Sequence, residues 1–150
     1  MRDAEQEEVM QVHDTSQSEK PLVLVVDDDE SIINLVQTSL TRNGYKTIIA
    51  YDGQEGSEMA KICSPAAIVL DWMMPNMDGM EMLRYIRSQP ETKDIPVIML
   101  TGKKMTQDVL AAIENGASEY LVKPFEMSEF IARFKKTLIQ FSPCELGKNT

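Results

Sequence analysis

The chain has 150 residues, of which 43% are hydrophobic and 26% are charged, so it can bury one core but has little length for a second domain. Fifteen basic against 24 acidic residues give a net charge of -9, which argues against nucleic acids or anionic membranes as partners. The cysteines Cys63 and Cys144 lack paired spacing, so we expect neither disulfides nor a zinc site. The sequence shows neither a signal peptide nor the roughly 20 apolar residues of a membrane span, so we expect a cytoplasmic protein.

One folded domain is predicted between two polar tails. Residues 1–20 are acidic, with few apolar side chains to bury, and are expected to form a flexible N-terminal tail. Residues 141–150 return to a polar composition and are expected to be a C-terminal tail or the start of a linker. The predicted domain therefore spans residues 21–140.

Short apolar runs alternate with helical patterns along this domain. Apolar residues at helical spacing mark three of the helices: Ile32, Val36 and Leu40; Val109 and Ile113; and Met127, Ile131, Phe134 and Leu138. Asn43-Gly44 and Asn115-Gly116 are typical of helix ends. The predicted strands are 22–26, 45–50, 66–70, 97–100 and 120–122. Such alternation is typical of a parallel sheet.

The first, third and fourth of these runs are almost continuously apolar, as expected for strands covered by helices on both faces, whereas residues 45–50 are mixed enough for an edge strand. We therefore predict an α/β fold with a doubly wound, flavodoxin-like sheet of five parallel strands in the order 2-1-3-4-5. Ligands bind such a sheet at the carboxyl ends of strands one and three.

Acidic residues follow both of these strands directly. The first strand leads into Asp27, Asp28, Asp29 and Glu30, and the third leads into Asp71. Carboxylates gathered at one edge repel one another unless a cation lies among them. We expect Asp27, Asp28 and Asp71 to hold a hard divalent cation with oxygen ligands, Mg²⁺ first.

Two further polar residues are expected at the same edge. Thr101 follows the fourth strand and Lys123 follows the fifth. A metal, a hydroxyl and an ammonium together neutralise a transferring phosphoryl group, and a carboxylate can be the nucleophile. Asp71 is the candidate nucleophile because it stands alone after the central strand, whereas an adjacent pair is better suited to holding the ion. The sole histidine, His13, lies in the acidic tail, so a histidine-dependent triad is not expected.

Four motifs occur in order at strand ends: VVDDDE at 25–30, LDWMMPNMDG at 70–79, MLTG at 99–102 and GASEYLVKPF at 116–125. Together they resemble the receiver domain of response regulators in two-component signalling, in the form of a chemotaxis-regulator-like single receiver. The resemblance covers residues 21–140.

The resemblance implies a phosphorylation-activated signalling switch, not an enzyme with a separate substrate. Asp71 would accept a phosphoryl group from the phosphohistidine of a sensor histidine kinase or a histidine phosphotransfer protein. Mg²⁺ would be held by Asp28, Asp71 and the backbone carbonyl of Met73, with Asp27 acting mainly through a metal-bound water.

The resemblance also implies the switch. Thr101 and Lys123 would bind phosphoryl oxygens, the Lys123-Pro124 peptide would be cis, and the aromatic Tyr120 would move inward after Thr101. The surface of the fourth helix, fifth strand and last helix would then change. This surface would contact a downstream output protein or a fused output domain, or form a homodimer. Met73 and Lys103 are expected to set the rate of dephosphorylation.

Two other functions stay open on the sequence. Asp27 and Asp29, followed by Ser31, also resemble the opening motif of haloacid-dehalogenase-type phosphotransferases, in which Asp27 would be the nucleophile and Asp29 the acid. The same fold also serves flavodoxin-like binding modules that are not phosphorylated.

Overall fold

The computed structural model describes residues 20–140. The five strands of this part are Leu22–Val26 (β1), Lys46–Ala50 (β2), Ala67–Leu70 (β3), Val97–Thr101 (β4) and Glu119–Val122 (β5). The five helices are Glu30–Arg42 (α1), Gly53–Cys63 (α2), Gly79–Ser88 (α3), Thr106–Glu114 (α4) and Met127–Gln140 (α5). Apart from Lys20, the predicted tails lie outside the described residues.

The strands form one parallel sheet in the order β2-β1-β3-β4-β5, which confirms the predicted doubly wound fold. Val26 pairs with Leu70, and Leu70 pairs with Met99, so three neighbouring strands end side by side. The residues that follow β1 and β3 therefore emerge together at the carboxyl edge of the sheet.

Two hydrophobic cores cover the two faces of the sheet. On one face, the buried residues of α1 and α5, including Phe130 and Phe134, pack against Val23 and Val25 of β1. On the other face, residues of α2, α3 and α4 pack against Leu24 and the alternate positions of the other strands. Because alternate strand residues point to opposite faces, a continuously apolar strand such as β1 fits between these two cores.

The ends of the helices follow the predicted signals. Asn43 and Asn115 are the C-terminal caps of α1 and α4. Gly44 and Gly116 follow them with φ angles of +92° and +106°, a left-handed conformation that glycine adopts without a Cβ penalty. The glycines thus end the helices and turn the chain toward β2 and β5.

The predicted helix faces are confirmed in part. In α1, Val36 and Leu40 are buried as predicted and Ile32 is partly buried against the same core, but the buried Ile33 was not predicted. In α4, Ala112 is buried, whereas the predicted Ile113 is 46% exposed. In α5 the wholly buried Phe130 was not predicted. In each case neighbouring apolar residues satisfy the helical period almost equally well, so the period alone does not determine the rotation of the helix.

Among residues 20–140, no helix has both the length and the apolar character needed to cross a membrane.

Candidate metal and phosphoryl site

The three predicted metal-binding carboxylates lie together at the carboxyl edge of the sheet. Asp27 and Asp28 follow β1, and Asp71 follows β3. One oxygen from each carboxylate can be chosen so that the three atoms all lie within 4.8 Å of one another. The structure thus brings together the side chains that the sequence predicts to meet.

Asp27 is buried and held by two donors. Its Oδ1 accepts a hydrogen bond from the backbone N–H of Asp29 at 3.0 Å, and its Oδ2 accepts one from Lys123 Nζ at 3.2 Å. Burial raises the pKa of Asp27, while the Asp29 N–H and the Lys123 ammonium act in the opposite direction. These contacts fix the carboxylate beside Asp71.

Asp71 is 6% exposed, and Lys123 Nζ lies 3.6 Å from its Oδ1. Burial, followed by the neighbouring charge of Asp27, raises the pKa of Asp71 to about 6, although Lys123 and the backbone N–H of Met73 act to lower it. The negative form of Asp71 is therefore costly in this environment. A cation near its oxygens would lower that cost.

The donor set of this site fits a hard divalent cation. Asp28 is exposed and gives the cluster an open side, whereas Asp27 and Asp71 are buried. Three carboxylates and one ammonium leave two net negative charges when all four groups are ionised, equal and opposite to the charge of Mg²⁺. All the candidate side-chain ligands are oxygen atoms, which Mg²⁺ prefers.

Thr101 and Tyr120 are both buried and are linked through Lys103. Thr101 ends β4 and has no exposed surface, and its Oγ1 accepts a hydrogen bond from the backbone N–H of Lys103 at 3.3 Å. The Tyr120 hydroxyl donates to the backbone carbonyl of Lys103 at 2.7 Å. Burial, and to a lesser degree Asp108, raises the pKa of Tyr120 to about 12. Tyr120 thus occupies the inward position in this structure.

Lys123 is fixed next to the site by its backbone as well as by its charge. Its backbone N–H donates to the carbonyl of Thr101 at 2.9 Å, and its peptide bond to Pro124 is cis, as predicted. Its side chain is 21% exposed and reaches both Asp27 and Asp71. The ammonium therefore lies between the two buried carboxylates.

A family model described as the response regulator receiver domain matches residues 23–135. The chain belongs to the response-regulator receiver family. Receiver domains are signalling switches of two-component systems, and they bind Mg²⁺ at an acidic pocket such as the one formed here by Asp27, Asp28 and Asp71. The four sequence motifs thus predicted the family correctly.

Relatives of this receiver domain include response regulator MprA of Mycobacterium avium, which is 39% identical over 121 residues, or 81% of this chain and 52% of that protein. The receiver domain of a Francisella response regulator is 34% identical, with a TM-score of 0.75, over 81% of this chain and 98% of that structure. Chemotaxis protein CheY4 of Vibrio cholerae is 31% identical, with a TM-score of 0.74, over 79% and 98%. The chain spans about half the length of the curated relatives it matches.

The receiver geometry gives Asp29 a structural role. Its side chain caps α1 by accepting hydrogen bonds from the backbone N–H and the hydroxyl of Ser31, at 2.9 and 2.7 Å. These hydrogen bonds hold the pKa of Asp29 below its usual range. A general acid needs the opposite shift, so the dehalogenase-type assignment of Asp29 has no support in this geometry.

Two features of the receiver site were missed by the sequence analysis. Lys103 Nζ lies 4.8 Å from the centroid of the Trp72 ring, and both residues line an open pocket with Asp28 and Met73. Gly79 lies so close to the backbone of Asp71 and Trp72 that a Cβ atom would collide with it. Neither feature has a signal in the local sequence pattern, since both depend on how separate segments approach.

Proposed function

We propose that this receiver domain accepts a phosphoryl group onto Asp71 from the phosphohistidine of a sensor histidine kinase or a histidine phosphotransfer protein. The supporting observation is the placement of Asp71: a buried carboxylate after the central strand, with Asp27, Asp28 and Lys123 around it. This placement surrounds the nucleophile with the groups that can balance the charge of a phosphoryl group.

In the proposed transfer, an oxygen of Asp71 attacks phosphorus and forms a P–O bond. The P–N bond to the histidine breaks, and the imidazole nitrogen leaves with the electron pair and takes up a proton. The attacking carboxylate requires no deprotonation once it is ionised, which is consistent with a site assembled without histidine. Hydrolysis of the aspartyl phosphate returns the switch to its starting state.

Lys123 and Thr101 are the proposed partners of the phosphoryl oxygens. The Lys123 ammonium already lies 3.6 Å from Oδ1 of Asp71, so it needs only a small movement to pair with an oxygen on the new phosphate. Thr101 Oγ1 accepts one hydrogen bond in the structure, and its hydroxyl still carries a hydrogen that it can donate.

We assign the Mg²⁺ ligands to Asp27, Asp28, Asp71 and the backbone carbonyl of Met73, with Asp27 acting mainly through water. When bound, the ion would offset the carboxylate charges and those of the incoming phosphoryl oxygens. The exposed side of the cluster, at Asp28 and Met73, leaves access for solvent and for a phosphodonor.

The proposed output surface is formed by α4, β5 and α5. Tyr120 lies in β5, and its link to Lys103 connects this surface to the loop after Thr101. Leu110 and Ile113 of α4 are 56% and 46% exposed, which provides apolar area for a partner. We propose that a downstream protein, a fused output domain or a second copy of the chain binds here in the cytoplasm.

The experiment is intact-mass spectrometry of the full chain after addition of Mg²⁺ and acetyl phosphate. We expect one phosphoryl adduct in the wild type, which disappears without Mg²⁺ and in Asp71→Asn. Asp27→Asn is the matched comparison, because a dehalogenase-type mechanism would require Asp27 as the nucleophile. A wild type that binds Mg²⁺ but gives no adduct, even with a phosphohistidine donor, would refute the proposal.

A further inference from the structure

A side-chain contact joins two loops beside the acidic pocket. Trp72 directly follows Asp71 in the loop between β3 and α3, and Lys103 lies in the loop between β4 and α4. The Lys103 ammonium is 4.8 Å from the centroid of the Trp72 ring, within the range of a cation–π interaction. The indole is partly buried against the core, so it provides a fixed platform for the ammonium.

The backbone of Lys103 contacts both switch residues. Its N–H donates to Thr101 Oγ1 at 3.3 Å, and its carbonyl accepts the hydroxyl of Tyr120 at 2.7 Å. One residue therefore contacts Trp72 through its side chain and Thr101 and Tyr120 through its main chain. A displacement of this residue would disturb the backbone carbonyl that accepts the Tyr120 hydroxyl.

We propose that Lys103 is a positioning residue: its ammonium, held on the Trp72 ring, keeps residues 102–105 in place and so keeps Tyr120 in its buried position. The proposal goes beyond phosphotransfer, because each contact it uses lies within the chain. The main-chain contacts of residue 103 could form with many other side chains at this position, whereas the proposal gives a role to the lysine ammonium itself.

The expected effect of losing the Lys103–Trp72 contact on the position of Tyr120 follows from the strength of a cation–π interaction. A cation–π interaction at a partly exposed site changes a two-state equilibrium roughly two- to fivefold. Tyr120 is 7% exposed in its buried position, so an outward position of the ring would be detected as added exposure. Asp28 and Asp78 line the same pocket and are competing partners for the ammonium, so the test must also change the ring.

The experiment measures Tyr120 exposure in the unphosphorylated, Mg²⁺-free full chain. Tyrosine labelled with ¹³C at the ring ε positions is observed by NMR, and Tyr120→Phe assigns the signal. Broadening by a neutral, soluble gadolinium chelate reports the exposed population. The variants are Lys103→Met, Lys103→Arg and Trp72→Leu, and Lys104→Met is the matched control at the next, exposed lysine.

We expect Lys103→Met and Trp72→Leu to raise the exposed population of Tyr120 roughly two- to fivefold, with Lys103→Arg and Lys104→Met equal to the wild type. The emission of Trp72, the sole tryptophan, should change in Lys103→Met and not in Lys104→Met. Unchanged Tyr120 broadening in Lys103→Met would overturn the proposal. An effect of Lys103→Met without one of Trp72→Leu would overturn it too, because the ring would then not be the partner. None of these outcomes depends on whether Asp71 is phosphorylated.

Discussion

The carboxylate of Asp71 is deeply buried and lies close to the negatively charged carboxylate of Asp27. It is 6% exposed and lies within reach of Asp27 and Asp28, and Lys123 compensates only part of their negative charge. The raised pKa of Asp71, to about 6, is the result of burial first and of Asp27 second. In the protein without a bound cation, this residue therefore destabilises the fold at neutral pH.

Replacing the charge should stabilise the metal-free protein. We expect Asp71→Asn to increase the free energy of unfolding at pH 7 by about 1–2 kcal/mol, because a pKa shift of this size corresponds to at most about 3 kcal/mol and the amide keeps only part of the contacts. Urea denaturation in the presence of a chelator measures the difference. A less stable Asp71→Asn protein would contradict this account of the site.

The stability difference should also depend on pH. The pKa of Asp71 is about 6 in the folded protein against 3.8 for an ordinary aspartate, so between these values the folded state binds more protons than the unfolded state. The contribution of Asp71 to stability thus increases as the pH falls from about 7 to about 4. The advantage of Asp71→Asn should shrink over that range. If the stability difference between Asp71→Asn and the wild type grew as the pH fell, a group other than Asp71 would control the pH dependence.

Gly79 is a second residue on which the site depends. A Cβ atom at this position would collide with the carbonyl oxygen of Asp71 and lie 2.7 Å from Cα of Trp72, both of them backbone atoms. We expect Gly79→Ala to destabilise the protein by about 2–3 kcal/mol because the loop after Asp71 must move.

Gly102→Ala is the control, since a Cβ atom there meets nothing within 4 Å. Thermal unfolding of both variants with and without Mg²⁺ separates the loss of stability from any loss of metal binding. Equal effects of the two substitutions would contradict the argument from close approach.

At the scale of secondary-structure elements, the side chain of Arg87 connects α3 to the segments before β4 and β5. Arg87 donates to the carbonyl of Gly116 at 2.7 and 3.0 Å, to that of Ile95 at 2.6 Å and to that of Lys93 at 3.1 Å. These carbonyls belong to the segments that lead into β4 and β5. The guanidinium therefore holds three segments together on the side opposite the acidic site.

We expect Arg87→Met to lower the free energy of unfolding by about 2 kcal/mol, because methionine keeps much of the packing but removes several hydrogen bonds from a charged donor. Arg84→Met is the matched control. Among the described residues, the Arg84 side chain makes one hydrogen bond, to the side chain of Asn115 at 3.2 Å. Its replacement should lower the free energy of unfolding by less than about 0.5 kcal/mol. Urea denaturation of the two variants compares them, and similar losses would contradict a special role for Arg87.

The elements themselves were largely predictable from the sequence. Continuous apolar runs identified the covered strands, and the mixed run before Ala50 identified β2 at the edge of the sheet. The predicted face of α1 omitted Ile33 because Ile32 and Ile33 are both apolar, and only packing on the sheet buries Ile33 more deeply. The contacts of Arg87 were not predictable, since they join segments far apart in the chain.

At the scale of the whole molecule, the parallel strands place the carboxylates, the hydroxyl and the ammonium of the candidate site at one edge of the sheet. The order of the sheet places β1 beside β3, and β4 and β5 follow, so Asp27, Asp71, Thr101 and Lys123 meet although 96 positions separate the first from the last. This meeting was predictable because each residue follows a recognisable strand. The hydrogen bond from Tyr120 to Lys103 and the contact of Lys103 with Trp72 were not, because they depend on loop conformation.

The central claim, that Asp71 is the phosphoacceptor, is tested most directly by locating the modified residue. Borohydride reduces an aspartyl phosphate to homoserine, and peptide mass spectrometry then identifies its position. After treatment of the full chain with Mg²⁺ and acetyl phosphate, we expect homoserine at position 71 alone, and none when Mg²⁺ is omitted. Homoserine at position 27 or 28, or none at position 71 in a chain that carries a phosphoryl adduct, would contradict the account.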